Sequence, residues 1–342
     1  MRHLLWLPLL LISFISLAQI PDGYYDDAEG KTGEDLRTAL YNIIKDHSAE
    51  SYSDLWEDFK STDKKDNGKV WDIYSIKKDG SSDYEYTFSD DQCGDYSAEG
   101  DCYNREHSFP KSWFNDDSPM YTDLFHIYPT DGYVNGKRAN LPYGETDNAS
   151  WTSTNGSKIG YCSYVGYTDK IFEPIDEFKG DLARSYFYML TRYKDVCSSW
   201  TSDMLEGDHF AEWARKMLVE WAEEDTVSQK EIDRNNAIYD IQNNRNPYID
   251  HPEWVKTIWG DNTDIQTIKK ENIKTWYAKH TLFVTNRKNE TYFNIVNITG
   301  QVVATKELSN NSNSYEINLH TGVYFISFYS KNKITTKKIL IP

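Results

Sequence analysis

Two linked runs decide how this chain is read. The first is Asn104-Arg105-Glu106-His107-Ser108-Phe109-Pro110-Lys111-Ser112-Trp113-Phe114. The second is Asp123-Leu124-Phe125-His126-Ile127-Tyr128-Pro129-Thr130-Asp131-Gly132-Tyr133-Val134-Asn135-Gly136-Lys137-Arg138-Ala139-Asn140. The end of the second is dense in Asp, Asn, Gly, Lys and Arg, unlike an apolar core segment. These residue types suit phosphodiester hydrolysis. A water must lose its proton, and the neutral imidazole of His107 can take it. The charge that gathers on the phosphate and on the leaving oxygen must be neutralised. One divalent cation does this when hard oxygens hold it, and the Glu106 carboxylate and Asn135 amide are such donors. A guanidinium fork at Arg138 or Arg105 matches a phosphate oxygen pair. Neighbouring residues on a strand point to opposite faces. Glu106 and His107 can therefore serve one site only at a strand end, at a bend, or opposite a helix bearing Asn135.

Charge runs against a protein that coats DNA. The net charge is -17. Residues 263–342 hold 11 Lys and Arg against 5 Asp and Glu, a net of +6, which leaves -23 on residues 1–262. An acidic body repels a polyanion at long range, so nucleic-acid chemistry here needs a local site with bound cations. The span Cys102–Asn140 itself carries 4 basic and 5 acidic residues and is no basic patch.

The two runs together resemble the bacterial endonuclease I family. The resemblance continues through Lys179-Gly180-Asp181-Leu182-Ala183-Arg184-Ser185-Tyr186, then Arg234-Asn235-Asn236, then Ile241-Gln242-Asn243-Asn244-Arg245-Asn246-Pro247. It covers roughly residues 20–260. It implies an α+β fold with a His-Me finger (ββα-metal) active site, His107 as general base, and Glu106 and Asn135 as metal ligands. It also implies one divalent ion, Mg²⁺ foremost with Ca²⁺ or Mn²⁺ as alternatives, a DNA or RNA substrate cut with little sequence preference, and 5′-phosphate products. Some relatives carry a phosphate-binding arginine in an insertion between the two motif halves, and that insertion is missing here. Arg138 is assigned the clamp in its place. Arg105, Arg184 and Arg245 are its rivals, and Lys137 and Asn140 are further candidates for phosphate contact.

Outward from the motif, Arg2 and His3 followed by the apolar run Leu4–Leu17 and the small-residue site Ser16-Leu17-Ala18 read as a signal peptide over residues 1–18. No transmembrane segment is otherwise expected. In an exported chain, Cys93, Cys102, Cys162 and Cys197 suggest two disulfides, the most local pairing being Cys93–Cys102 with Cys162–Cys197. Residues 19–262 read as one mixed domain. Helices are expected at Gly33–Lys45, Gly180–Tyr193 and Asp208–Glu224, with Asp203 and Asp208 as N-caps and His209 in a first helical turn. Leu182, Tyr186, Met189 and Leu190 mark one helix face. Val70–Ser75 and Tyr84–Phe88 are expected strands around a Lys78-Asp79-Gly80 turn. His126 reads as a hydrogen-bonded core histidine, Asp123 and Asp131 as turn caps, and Trp200, Trp213 and Trp221 as core.

From about Asn262 the pattern changes to short alternating runs, from Thr281–Val284 to Ile334–Ile341, which predict six or seven strands of a small β-sandwich over 263–342. Asn297-Ile298-Thr299-Gly300-Gln301-Val302-Val303, Leu319-His320-Thr321-Gly322-Val323-Tyr324-Phe325 and Thr336-Lys337-Lys338-Ile339-Leu340-Ile341 resemble the C-terminal sorting domain of type IX secretion cargo. That resemblance implies a secreted or cell-surface protein that engages the outer-membrane type IX machinery. A monomer is expected. The competing reading is a secreted binding or adhesion protein on a degenerate nuclease scaffold. A scaffold of that kind would have lost one of Glu106, His107 or Asn135, and all three are present.

Overall fold

The computed structural model describes residues 20–77, 80–261, 273–285, 291–308, 313–330 and 333–341. The expected signal peptide and the Lys78-Asp79 part of the expected turn lie outside the described residues. The chain divides into two units, with the break after Asp261.

Helix α4 (Lys179–Arg192) is the axis of the first unit. Its sequence predicts one apolar face, but in the structure nearly every residue from Gly180 to Arg192 is buried. It packs against α1 (Gly33–Ile44), α5 (Glu212–Glu224) and the short α7 (Pro247–Asp250). A helix enclosed on all sides must bring partners for its charges. The Arg184 Nε accordingly donates to Glu231 Oε1 at 2.5 Å, and its Nη1 to the Asp225 carbonyl at 2.7 Å. Close approach at the start of α4 needs a glycine. A Cβ on Gly180 would lie 2.4 Å from the Asp225 carbonyl oxygen. Gly180→Ala should therefore cost about 1–3 kcal/mol through overpacking against backbone. Urea denaturation followed by tryptophan fluorescence checks this, and an unchanged midpoint would contradict it.

Several expectations are corrected. Helix α5 begins at Glu212, not Asp208, because His209–Phe210 form strand β7 paired with β6 (Leu205–Glu206). His209 is thus on a strand. Asp203 and Asp208 cap no helix, since they accept from Tyr167 and Arg37 instead. Val70–Ser75 and Tyr84–Phe88 form no strand. Asp72 turns its own backbone by accepting from the Tyr74 N–H at 2.9 Å, and the pairing is reduced to a bridge from Val70 to Lys64 and one bond from the Val70 N–H to the Tyr86 carbonyl at 2.9 Å. Helices α2 (Leu55–Thr62), α6 (Gln229–Gln242) and α8 (Glu253–Trp259) come in addition to the expected ones.

Cys93 and Cys102 form a disulfide, but Cys162 and Cys197 are free and buried. Their surroundings explain why the second bridge does not form. Cys162 follows β4 (Lys158–Tyr161) in an antiparallel sheet between β3 (Ala149–Thr152) and β5 (Lys170–Glu173). Cys197 lies beyond α4, with its Sγ against Arg37 of α1 and the Asp208 carbonyl. Burial there pushes its thiol up to about 11.

The second unit has seven strands among the described residues. A four-stranded antiparallel sheet runs β11 (Val302–Glu307), β10 (Tyr292–Asn297), β13 (Gly322–Ser330), β14 (Lys333–Ile341). A three-stranded sheet runs β12 (Ser314–Glu316), β9 (Thr281–Thr285), β8 (Lys274–Ala278). Leu282 and Val284 from one sheet and Phe293, Ile295, Ile326 and Phe328 from the other share one apolar core. β8 escaped the sequence reading because it is an edge strand whose alternating residues are half-buried or exposed, Trp276 included.

Candidate active site

The two motif runs fold into a strand pair and a helix. β1 (Tyr103–His107) pairs antiparallel with β2 (Ile127–Asp131), and α3 (Gly132–Arg138) follows without a gap. The register sets Glu106 opposite Tyr128 and His107 opposite Ile127. Buried carboxylates fix the corner. Asp131 caps α3 by accepting from the Val134 N–H at 2.8 Å, and also accepts from Tyr86 and the Gly100 N–H. Asp72 accepts from the Asp131 N–H at 2.9 Å and from the Thr130 hydroxyl. Before β2, Asp123 collects the hydroxyls of Tyr188 and Tyr193 at 2.8 and 2.7 Å. His126 is a core histidine whose Nε2 donates to the Met120 carbonyl at 2.7 Å. Trp200, Trp213 and Trp221 are all buried.

Glu106 and His107 occupy the last two positions of β1, and their side chains leave on opposite faces. On the Glu106 face lies α3. The buried Glu106 Oε1 accepts from Tyr74 Oη at 2.7 Å and Arg138 Nη1 at 2.8 Å. Burial raises this carboxyl to about 7, against the pull of Arg138 and Tyr74. Asn135, half-buried on α3, donates its amide to Asn104 Oδ1 at 2.7 Å, which leaves its own Oδ1 to accept elsewhere. Tyr96, from the loop closed by Cys93–Cys102, packs into the glycine notch of α3. A Cβ on Gly136 would lie 2.3 Å from its hydroxyl.

On the other face, His107 sits among aromatic rings. Its imidazole is nearly parallel to Tyr52 (6.1 Å between centroids, 20°) and lies 5.1 Å from Tyr121 and 5.5 Å from His126. Its Nε2 donates to the Tyr121 carbonyl at 3.1 Å. The ring is then the Nε2–H tautomer with its lone pair on Nδ1. Burial, and after it His126, hold His107 down to about 3, so the imidazole is neutral at physiological pH.

Arg138 is fully buried, and the solvent-facing clamp expected of it is corrected by its surroundings. Beyond Glu106 it donates to the carbonyls of His107 (2.9 Å) and Ser108 (2.7 Å) and to Tyr186 Oη (3.2 Å). It ties α3 to the end of β1 and positions Glu106. Arg184 is taken up by Glu231, and Arg245 by Asp250 through two bonds of 2.7 Å. Lys137 and Asn140 are exposed beyond Asn135, and Arg105 is half-buried on the His107 face. The sequence reading missed Tyr74, Tyr52 and Tyr121, which no spacing could find because they come from distant segments. It quoted Asn104 without giving it the role of orienting Asn135.

The oxygens at this corner decide which ion could sit there. Among the described residues, no group of three or more His, Cys, Asp or Glu side chains is placed to hold an ion. One carboxylate and one amide oxygen fit a hard cation that keeps most of its waters, which is how Mg²⁺ is commonly held. A cavity of about 800 Å³ lies elsewhere. Glu145, Glu173, Asp181, Lys179 and Trp221 are among its lining residues, and none of Glu106, His107 or Asn135 is. A strand end that carries a neutral imidazole beside a carboxylate and an amide oxygen is a set of groups that suits phosphodiester chemistry.

The comparisons agree with that class. The Endonuclease I family profile matches residues 32–253, and a secretion system C-terminal sorting domain matches 278–342. The chain belongs to the endonuclease I family, a family of nucleases, and is secreted. It is 34% identical over 247 residues to an extracellular ribonuclease of Bacillus subtilis (strain 168), covering 70% of this chain and 78% of that protein. It is 36% identical over 245 residues to an extracellular ribonuclease of Bacillus amyloliquefaciens, covering 69% and 78%. An extracellular deoxyribonuclease of Aeromonas hydrophila is 27% identical over 133 residues, 38% of this chain and 50% of that protein. Among the described residues no helix is long and apolar enough to cross a membrane.

Proposed function

We propose that the chain is a divalent-metal-dependent endonuclease that hydrolyses phosphodiester bonds in both DNA and RNA and leaves 5′-phosphate ends. The observation that carries this reading is the neutral His107. Its Nε2 is fixed by the Tyr121 carbonyl, one residue from Glu106 and on the strand that Asn135 faces. The strand–strand–helix order supports a His-Me finger site. His107 Nδ1 takes the proton of the attacking water. Tyr121, through its carbonyl, keeps the ring in the base-competent tautomer. Glu106, aimed by Arg138 and Tyr74, and Asn135, aimed by Asn104, hold the cation, Mg²⁺ foremost. That cation, when bound, supplies positive charge for the phosphate and the departing 3′ oxygen. Substrates of both kinds are proposed because relatives named ribonuclease and deoxyribonuclease are both similar to this chain. Contacts through phosphates give little sequence preference. The C-terminal unit is proposed to engage the type IX outer-membrane machinery. The full-length protein should release DNA and RNA fragments that a ligase joins without prior kinase treatment. Fragments that need a kinase would overturn the proposed direction of cleavage.

A further inference from the structure

Eight arginines lie among the described residues, and six are held by a carboxylate. Arg37 faces Asp208, Arg138 Glu106, Arg184 Glu231, Arg215 Asp261, Arg234 Asp63 and Arg245 Asp250. A seventh, Arg192, donates to His47 Nδ1. Arg105 is different. No carboxylate lies within ion-pair distance of it among the described residues, and its one protein acceptor there is the Tyr52 carbonyl. It is nevertheless held still. Its guanidinium lies 3.6 Å from the Tyr52 ring centre and 4.3 Å from that of Trp56. Arg105 and His107 are two residues apart on β1 and so share a face. Tyr52 touches both, with the guanidinium over its ring and the imidazole nearly parallel to it.

A half-buried cation with spare donors, fixed on an aromatic shelf and given no internal anion, is built to receive one from outside. We propose that Arg105 holds a phosphate of the nucleic-acid strand beside His107, so that the strand runs along the His107 face of β1. This rests on the nuclease reading and adds to it the residue that grips the substrate. Lys137 and Asn140 are exposed, and the Lys137 ammonium lies 5.0 Å from the Tyr133 ring centre. Arg105 binds through its planar fork, which a lysine lacks.

The test uses the full-length chain, a duplex oligonucleotide and Mg²⁺, with Arg105→Met and Arg105→Lys beside the parent. Methionine keeps an unbranched stem on the rings and removes every donor. Arg105→Met should raise KM about tenfold to a hundredfold, the usual worth of a hydrogen bond to a charged group, and change kcat much less. The slope of log KM against log salt should fall by about one, because one phosphate is no longer neutralised by the protein. Arg105→Lys keeps the charge, so its salt slope should stay near the parent's while KM rises several-fold. If Arg105→Met does not fold, the lysine variant decides alone, and a parental KM there overturns the proposal. A methionine variant with parental KM and salt slope also overturns it and leaves the nuclease reading standing, whether or not its melting temperature drops. A folded parent that cleaves nothing would overturn both.

Discussion

A His107→Ala protein is expected to fold and to lose about two to four orders of magnitude in turnover, the usual worth of a positioned general base. The ring makes one hydrogen bond, to the Tyr121 carbonyl, and otherwise touches rings that can relax, so the fold should survive its loss. Single-turnover cleavage with protein in excess isolates the chemical step from binding. Nine of the eleven tryptophans lie in residues 20–261, so fluorescence reports the folded state of the unit that carries His107. Free imidazole should restore part of the rate by entering the space left beside Tyr52 and Tyr121. A variant that folds and cleaves at the parental rate would remove His107 from the chemistry.

Arg138→Met should be the most destabilising single change near the site, costing about 3–5 kcal/mol. Removing one member of a buried ion pair leaves the other charge without compensation. Here the guanidinium also serves the carbonyls of His107 and Ser108 and the hydroxyl of Tyr186, so four acceptors each lose one donor, although Glu106 keeps Tyr74 and the Ser108 carbonyl keeps Tyr186. Adding Glu106→Gln removes the stranded charge and should recover part of that loss while leaving the protein inactive. Urea denaturation of the two variants and the parent provides the comparison. An Arg138→Met midpoint equal to the parent's would show that the pair contributes nothing to stability.

Residues whose role is local were legible in the sequence, and residues whose role depends on distant partners were not. The run from Tyr103 to Asn140 shows the strand–strand–helix corner because β1, β2 and α3 all fall within that one stretch of chain. The C-terminal strands were legible because alternation with a period of two is a short-range signal. Helix α6 carries its start signal, the Ser228 to Glu231 capping box, yet it escapes a search for apolar periodicity. Its buried face is mostly polar, built from Glu231, Arg234, Asn235 and Gln242 with Ile238 alone apolar, so no apolar stripe marks it. The same cause misplaced the phosphate clamp. Arg138 looks free in sequence, and only the fold brings Tyr74, Glu106 and Tyr186 around it. The strand expected at Val70–Ser75 failed because Asp72 commits its backbone to a turn that braces Thr130 and Asp131, which leaves Tyr84–Phe88 without a paired strand. Two buried cysteines were read as a bridge because sequence gives their number and not their surroundings.

The most direct test of the central claim is a cleavage assay with the full-length protein. Supercoiled plasmid and total RNA would each be incubated with Mg²⁺ and with chelator. A metal-dependent endonuclease built on His107, Glu106 and Asn135 should take the plasmid through nicked and linear forms to short fragments and degrade the RNA, and chelator should stop both. Intact plasmid and RNA after incubation with folded protein and Mg²⁺ would contradict the claim, and cleavage that persists unchanged in chelator would contradict the metal-dependent mechanism.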